Sequence, residues 1–131
     1  MIRKHTISIK NAWNGLKWSF STQPNYRVHL FLSLLAIVGG IYFNISQGEF
    51  LTIFVLITLG FSIETVNTAI EETTDAIDTK IRPDIGLAKD VAAGAMLVFA
   101  IGALIISGII FLPRIFQISN FPSLLLRVNK F

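Results

Sequence analysis

The chain has 131 residues and a mass of 14.5 kDa, enough for one domain. Hydrophobic residues make up 53% of it, charged residues only 15%, and the mean hydropathy is +0.65; a soluble domain carries about 25% charged residues, so disordered, coiled-coil and soluble globular classes give way to an all-α integral membrane protein. The net charge of +3 comes from scattered basic residues and leaves no nucleic-acid footprint, and the absence of cysteine excludes a disulfide framework, a thiolate zinc site and a cysteine nucleophile.

The first predicted helix covers 6–21. Ile9, Ala12, Trp13, Leu16 and Phe20 recur at helical spacing, opposite Lys10, Asn14 and Ser21. That pattern predicts an amphipathic helix lying on the membrane surface with tryptophan at headgroup level, although Trp18 falls on the opposite side. The plainer alternative is a polar leader. Arg3 and Lys4 are followed by polar residues, unlike a secretory signal. Three spans follow, at about 28–44, 50–78 and 87–112, each near the ~20 apolar residues that a crossing helix needs. A short polar loop at 44–49 joins the first two. The second span turns polar from Ser62 onward. Pro113 is expected to halt the third, and no role is apparent for the tail at 114–131.

Basic residues orient this bundle. Arg3, Lys4, Lys10, Lys17 and Arg27 precede the first span, Lys80, Arg82 and Lys89 lie between the second and third, and the loop between the first two has none. The N-terminus and the second loop are therefore expected in the cytoplasm. Arg114, Arg127 and Lys130 fall on the far side and conflict mildly with that orientation.

Seven of the eight acids lie between positions 64 and 90. At about 100° per residue, Glu64, Asn67, Glu71, Asp75 and Asp78 share one stripe of the second span, with Glu72 off to the side. At 1.5 Å per residue from Phe50, Glu64 lies about 21 Å deep and Glu71 about 31 Å. Glu64 is then inside the hydrocarbon edge, while Glu71 and Asp75 reach the interface where Lys89 and Asp90 begin the third span. One buried carboxylate, a stack of carboxylates nearer water and a lysine suit a lipid hydroxyl meeting a metal-bound phosphate donor. Polar residues that merely glue helices together are usually uncharged, and intramembrane acids usually serve a function. His5 and His29 lack metal-ligand spacing, and no P-loop or dinucleotide fingerprint is present.

The run Glu64-Thr65-Val66-Asn67-Thr68-Ala69-Ile70-Glu71, followed by Asp75, resembles the E-x-x-N-[ST]-A-[IV]-E-x-x-x-D motif of the prokaryotic diacylglycerol kinase family, which also contains undecaprenol kinases. Ala88-Lys89-Asp90, then Ala92, Ala93 and Gly94, resembles its A-K-D element, and Asn25-Tyr26-Arg27-Val28-His29 resembles the opening of the first span in the undecaprenol-kinase-like branch. The resemblance covers roughly 4–113. It implies a homotrimer of a surface helix plus three spans, in the bacterial inner membrane. Its sites would lie between neighbouring chains on the cytoplasmic side, transferring phosphate from ATP, with Mg2+, to undecaprenol or diacylglycerol. By the resemblance, Glu64 is the general base, a role its depth also suits. Asn67 orients the base or the phosphate, Glu71 holds the metal, Lys89 contacts the phosphates and Asp90 supports metal or lysine. Lys80, Arg82 and Lys4 match basic positions near ATP, and Ala93 matches a position facing the lipid headgroup. Gln23 stands where the family usually has a metal-binding glutamate, so its carbonyl oxygen replaces a charged ligand there. Ala88, Ala92, Ala95 and Gly102 form a small-residue stripe suited to close helix approach. The branch-like Asn25–His29 segment and the setting of Gly94 tilt the acceptor towards undecaprenol. Two other functions remain: a carboxylate-based ion or proton carrier, disfavoured because the polar groups crowd one end, and a catalytically impaired interaction protein, which Gln23 keeps open.

Overall fold

A computed structural model describes residues 2–77 and 82–128, and the side chains of 7–77 and 82–117. Four helices follow in order: α1 (Ile2–Thr22), α2 (Pro24–Tyr42), α3 (Gln47–Ile77) and α4 (Pro83–Val128). Stretches Pro24–Tyr42, Gln47–Ile77 and Pro83–Gln117 are each long and apolar enough to cross a membrane.

The breaks between helices have local causes. Pro24 holds Gln23 in extended backbone (φ −91°, ψ 118°), because a residue before proline is forced out of the helical region, so α1 stops there. Pro24 then opens α2, where its missing N–H costs nothing. α2 ends in a Schellman motif. Asn44 is left-handed (φ 54°), and the Asn44 and Ile45 N–H groups donate to the Ile41 and Gly40 carbonyls at 3.2 and 3.1 Å. Ile45 folds back over Gly40, where a Cβ would lie 2.9 Å from both Ile45 Cδ1 and Phe50 Cζ. Any side chain there would push Ile45 and Phe50 aside. α3 starts with a capping box: the Ser46 N–H donates to Glu49 Oε2 at 2.7 Å, and the Glu49 N–H donates to Ser46 Oγ at 3.3 Å. The expected loop at 44–49 is therefore shorter, and Glu49 belongs to the first turn of α3.

Pro113 does not end the last helix; α4 runs through it to Val128. Proline deprives the Ile109 carbonyl of its helical donor. The next carbonyl, that of Ile110, accepts from the Arg114 guanidinium.

Packing is concentrated at two levels. Near the α2–α3 turn, buried Ile45, Ile53 and Ile110 pack with Ala36, Phe43, Phe50 and Phe111. The same end carries a part-buried ion pair, Arg114 Nη2 to Glu49 Oε2 at 2.8 Å. At the other end, the Tyr26 ring lies 5.6 Å from Phe20 of α1 and 5.7 Å from Phe61 of α3. Between these levels, α3 and α4 approach closely at Gly60, where a Cβ would meet Phe99 Cε1 at 2.9 Å. The rest of the apolar surface faces outward: Phe31, Phe54, Val98 and Leu104 are each more than 60% exposed, the reverse of a soluble protein and suited to lipid or partner helices.

Candidate active site

The second half of α3 carries the polar groups. Glu64 is 2% exposed, and Asn67, Thr68 and Thr74 are also buried. No hydrogen-bond partner for the Glu64 carboxylate is present among the described residues. One turn on, Asn67 Nδ2 donates to Glu71 Oε1 at 3.0 Å. A carboxylate only accepts, so this bond fixes which way the amide points, and Asn67 Oδ1 is left buried without a partner among the described residues. Glu71 is half-buried, and Glu72 stands off the stripe, exposed. Two turns further, Asp75 takes a 2.5 Å hydrogen bond from Lys89 Nζ of α4. The stripe thus runs from dry to wet: a lone carboxylate, an amide-linked carboxylate, then an ion pair at the end where α3 and α4 are joined.

Other expected residues are less closely tied. Arg82 binds Asp84 through two hydrogen bonds of 2.6 and 3.1 Å, and this neighbouring carboxylate raises the guanidinium pKa above its ordinary value. Asp90 and Ala93 are exposed while Ala92 is buried, so of the small-residue stripe only Ala92 is packed away within one chain. Gln23 caps α2 by position, yet its side chain makes no capping bond. Lys4, Lys80 and Asp78 lie outside the described side chains. Among the described residues no three acidic or histidine side chains converge as a ready-made metal site.

A sequence model of the prokaryotic diacylglycerol kinase family matches residues 10–111. The chain belongs to that family. It is 39% identical over 108 residues to the undecaprenol kinase of Bacillus subtilis (strain 168), covering 82% of this chain and 88% of that protein. It is 30% identical over 113 residues to the diacylglycerol kinase of Synechocystis sp. (strain ATCC 27184 / PCC 6803 / Kazusa), covering 86% of this chain and 65% of that protein. As a diacylglycerol kinase family member with three membrane-capable helices, it is a membrane lipid kinase.

In this lipid kinase two motif residues to which the sequence assigns no role, Tyr26 and Thr68, lie near Glu64. Tyr26 is 1% exposed and its hydroxyl bonds to Thr65 Oγ1. Thr65 already donates its proton to the Phe61 carbonyl at 2.6 Å, so Tyr26 is the donor. Its signal was an aromatic residue at the head of a span, six positions after Phe20. Thr68, four residues after Glu64, lies on the same face, but the stripe was counted in acids and amides alone. Beside Tyr26, residues Trp13, Leu16, Lys17, Phe20, Ser21 and Phe61 line a pocket of about 570 Å³ between α1 and the spans. Part of the apolar face of α1 is thus turned to protein, and Ser21, expected opposite that face, lies at the same pocket.

Proposed function

We propose that this protein transfers the γ-phosphoryl group of ATP to the hydroxyl of a membrane lipid alcohol at the cytoplasmic interface, working as a homotrimer with α1 on the membrane surface. The observation that carries the reading is the gradient along α3, from buried Glu64 to the Asp75–Lys89 pair. A carboxylate shielded from water and left without an ion pair among the described residues is placed to take a proton from a lipid alcohol that reaches it from the bilayer. The wet end, with Lys89 as a point charge and Asp90 beside it, suits phosphates. Lys4, Lys80 and Arg82 add positive charge on the ATP side, and Ala93, exposed on α4, faces the acceptor headgroup.

The donor set fits magnesium, which binds through one or two carboxylates and completes its shell with substrate phosphates and water. Glu71, held by Asn67, would be the charged ligand, with the Gln23 carbonyl as a neutral one. When bound, the ion spreads the charge that develops on the transferred group. The trimer is supported by α4, where Ala88 and Ala95 of the small-residue stripe are exposed and would let a neighbouring helix approach closely beside half-buried Glu71. The acceptor we favour is undecaprenol, the alcohol in the name of the relative that is 39% identical. A carrier would place its ion-binding groups near the midplane, whereas these crowd one end.

The test is phosphorylation of undecaprenol and of diacylglycerol in detergent micelles with labelled ATP, by the wild type and by Glu64→Gln. We expect the variant to lose about 10²-fold or more in turnover with ATP binding retained. Near-normal turnover would remove Glu64 as the base. Transfer to neither alcohol by the wild type would refute the acceptor class.

A further inference from the structure

Hydroxyl groups along α3 follow one habit with one exception. Thr52, Thr58, Thr65, Thr73 and Thr74, and also Ser62, each donate to the carbonyl four residues back, at 2.6 to 3.0 Å. This back-bonding is the ordinary way for a hydroxyl to satisfy itself in an apolar helix. Thr68 breaks the habit. It is 3% exposed, yet Oγ1 makes no hydrogen bond to the Glu64 carbonyl or to any other group among the described residues. A buried hydroxyl without a partner is costly, and here the usual remedy lies one turn away and is not taken. Thr68 stands four residues after Glu64, so both side chains project from the same face, one turn apart.

From this we infer that Thr68 Oγ1 contacts the reacting oxygen of the lipid alcohol, an inference that rests on Glu64 being the base. An alcohol oxygen has one proton and two lone pairs. Its O–H bond breaks as the proton passes to the Glu64 carboxylate. One lone pair forms the new bond to the γ-phosphorus, while the bond from that phosphorus to the β,γ-bridging oxygen breaks and ADP leaves. The remaining lone pair accepts a hydrogen bond from Thr68 Oγ1. The threonine thus fixes the rotation of the alcohol about its C–O bond, which decides whether the attacking lone pair points at phosphorus. Serine keeps the donor. Valine keeps the shape and removes it.

The experiment compares Thr68→Val, Thr68→Ser and Glu64→Gln with the wild type in detergent micelles containing undecaprenol or dioleoylglycerol. We expect Thr68→Val to lower turnover on the order of 10- to 100-fold, the scale of a misoriented nucleophile. Its KM for ATP should not change, and Thr68→Ser should keep turnover close to wild type. A second readout is binding without chemistry: the acceptor alone should raise the thermal midpoint of the wild type by mass action, and this rise should shrink in Thr68→Val. A hydroxyl that only bridges helices would instead lower the midpoint with and without acceptor and leave turnover intact below it, overturning the inference. If Thr68→Val aggregates, Thr68→Ala is judged on the same two readouts. Loss of activity in Glu64→Gln with normal Thr68→Val refutes the threonine contact alone. An active Glu64→Gln refutes the base assignment beneath it.

Discussion

The side chain of Gln23 sits at the N-terminus of α2 without capping it, so its amide is uncommitted where a carboxylate would be favoured twice. The helix dipole stabilises an anion at that position, and hard cations prefer anionic oxygen ligands. Gln23→Glu should therefore lower the magnesium concentration needed for half-maximal rate, with little change in apparent affinity for the lipid. A magnesium titration at saturating ATP and acceptor checks it; an unchanged titration curve would mean that the ion is held without this position. Tyr26 offers a contrast at the same scale. Tyr26→Phe removes one hydroxyl donor to Thr65 while leaving the ring between Phe20 and Phe61, so it should cost about 1 kcal/mol of stability and leave turnover within about threefold of wild type, by the same energy scale applied to rate. Thermal unfolding in detergent, followed alongside activity, separates the two effects.

Among the elements, α3 and α4 are fastened at one end by Glu49, which closes the capping box with Ser46 and accepts from Arg114. Removing Glu49 breaks both interactions, whereas removing Arg114 spares the cap and loses, besides the ion pair, a bond to the Ile110 carbonyl, which stays a backbone acceptor within α4. Glu49→Ala should therefore destabilise more than Arg114→Ala, by about 1 kcal/mol, the worth of a helix cap. Equal thermal midpoints for the two variants would contradict that ordering. This end also shows why the sequence was only partly readable. The three spans and the acid stripe follow from hydropathy and period, which are local properties. The halt expected at Pro113 rests on a local rule too, but α4 continues through it, and the neighbouring Arg114 bonds both the Ile110 carbonyl and Glu49, sixty-five residues away. The S-x-x-E capping signature at 46–49 is legible, but the polarity of the segment equally suits a loop. Thr68 is legible by its spacing from Glu64, but only the folded chain reveals that its hydroxyl has no partner among the described residues.

For the molecule as a whole, orientation is the quantity that kinase chemistry demands, since ATP is available on one side only. By charge bias, the basic residues before α2 and between α3 and α4 predict a cytoplasmic position for those segments. Arg114, the nearest basic residue on the opposite side, is paired with Glu49, which eases the conflict seen in the bare charge count. The chain has no cysteine, so single cysteines report cleanly. In intact cells Gln47→Cys should react with a membrane-impermeant maleimide and Thr79→Cys should not. The reverse pattern would put the acid stripe on the side without ATP and end the kinase orientation.

The turn between α2 and α3 has a consequence for how the chain enters the bilayer. Only residues 43–46 separate the two helices, and Ile45 within that turn is buried. So short a connection ties the two helices' translocation together: they must be threaded as one hairpin, not stitched in one after the other. The hairpin tip carries its own polar satisfaction, because the Asn44 and Ile45 amides are bonded to α2 and the Ser46 and Glu49 amides to the capping box. The sole charge at the tip, on Glu49, waits for Arg114, which arrives only with the last helix. Insertion of α4 therefore completes an ion pair whose acidic half enters the bilayer first.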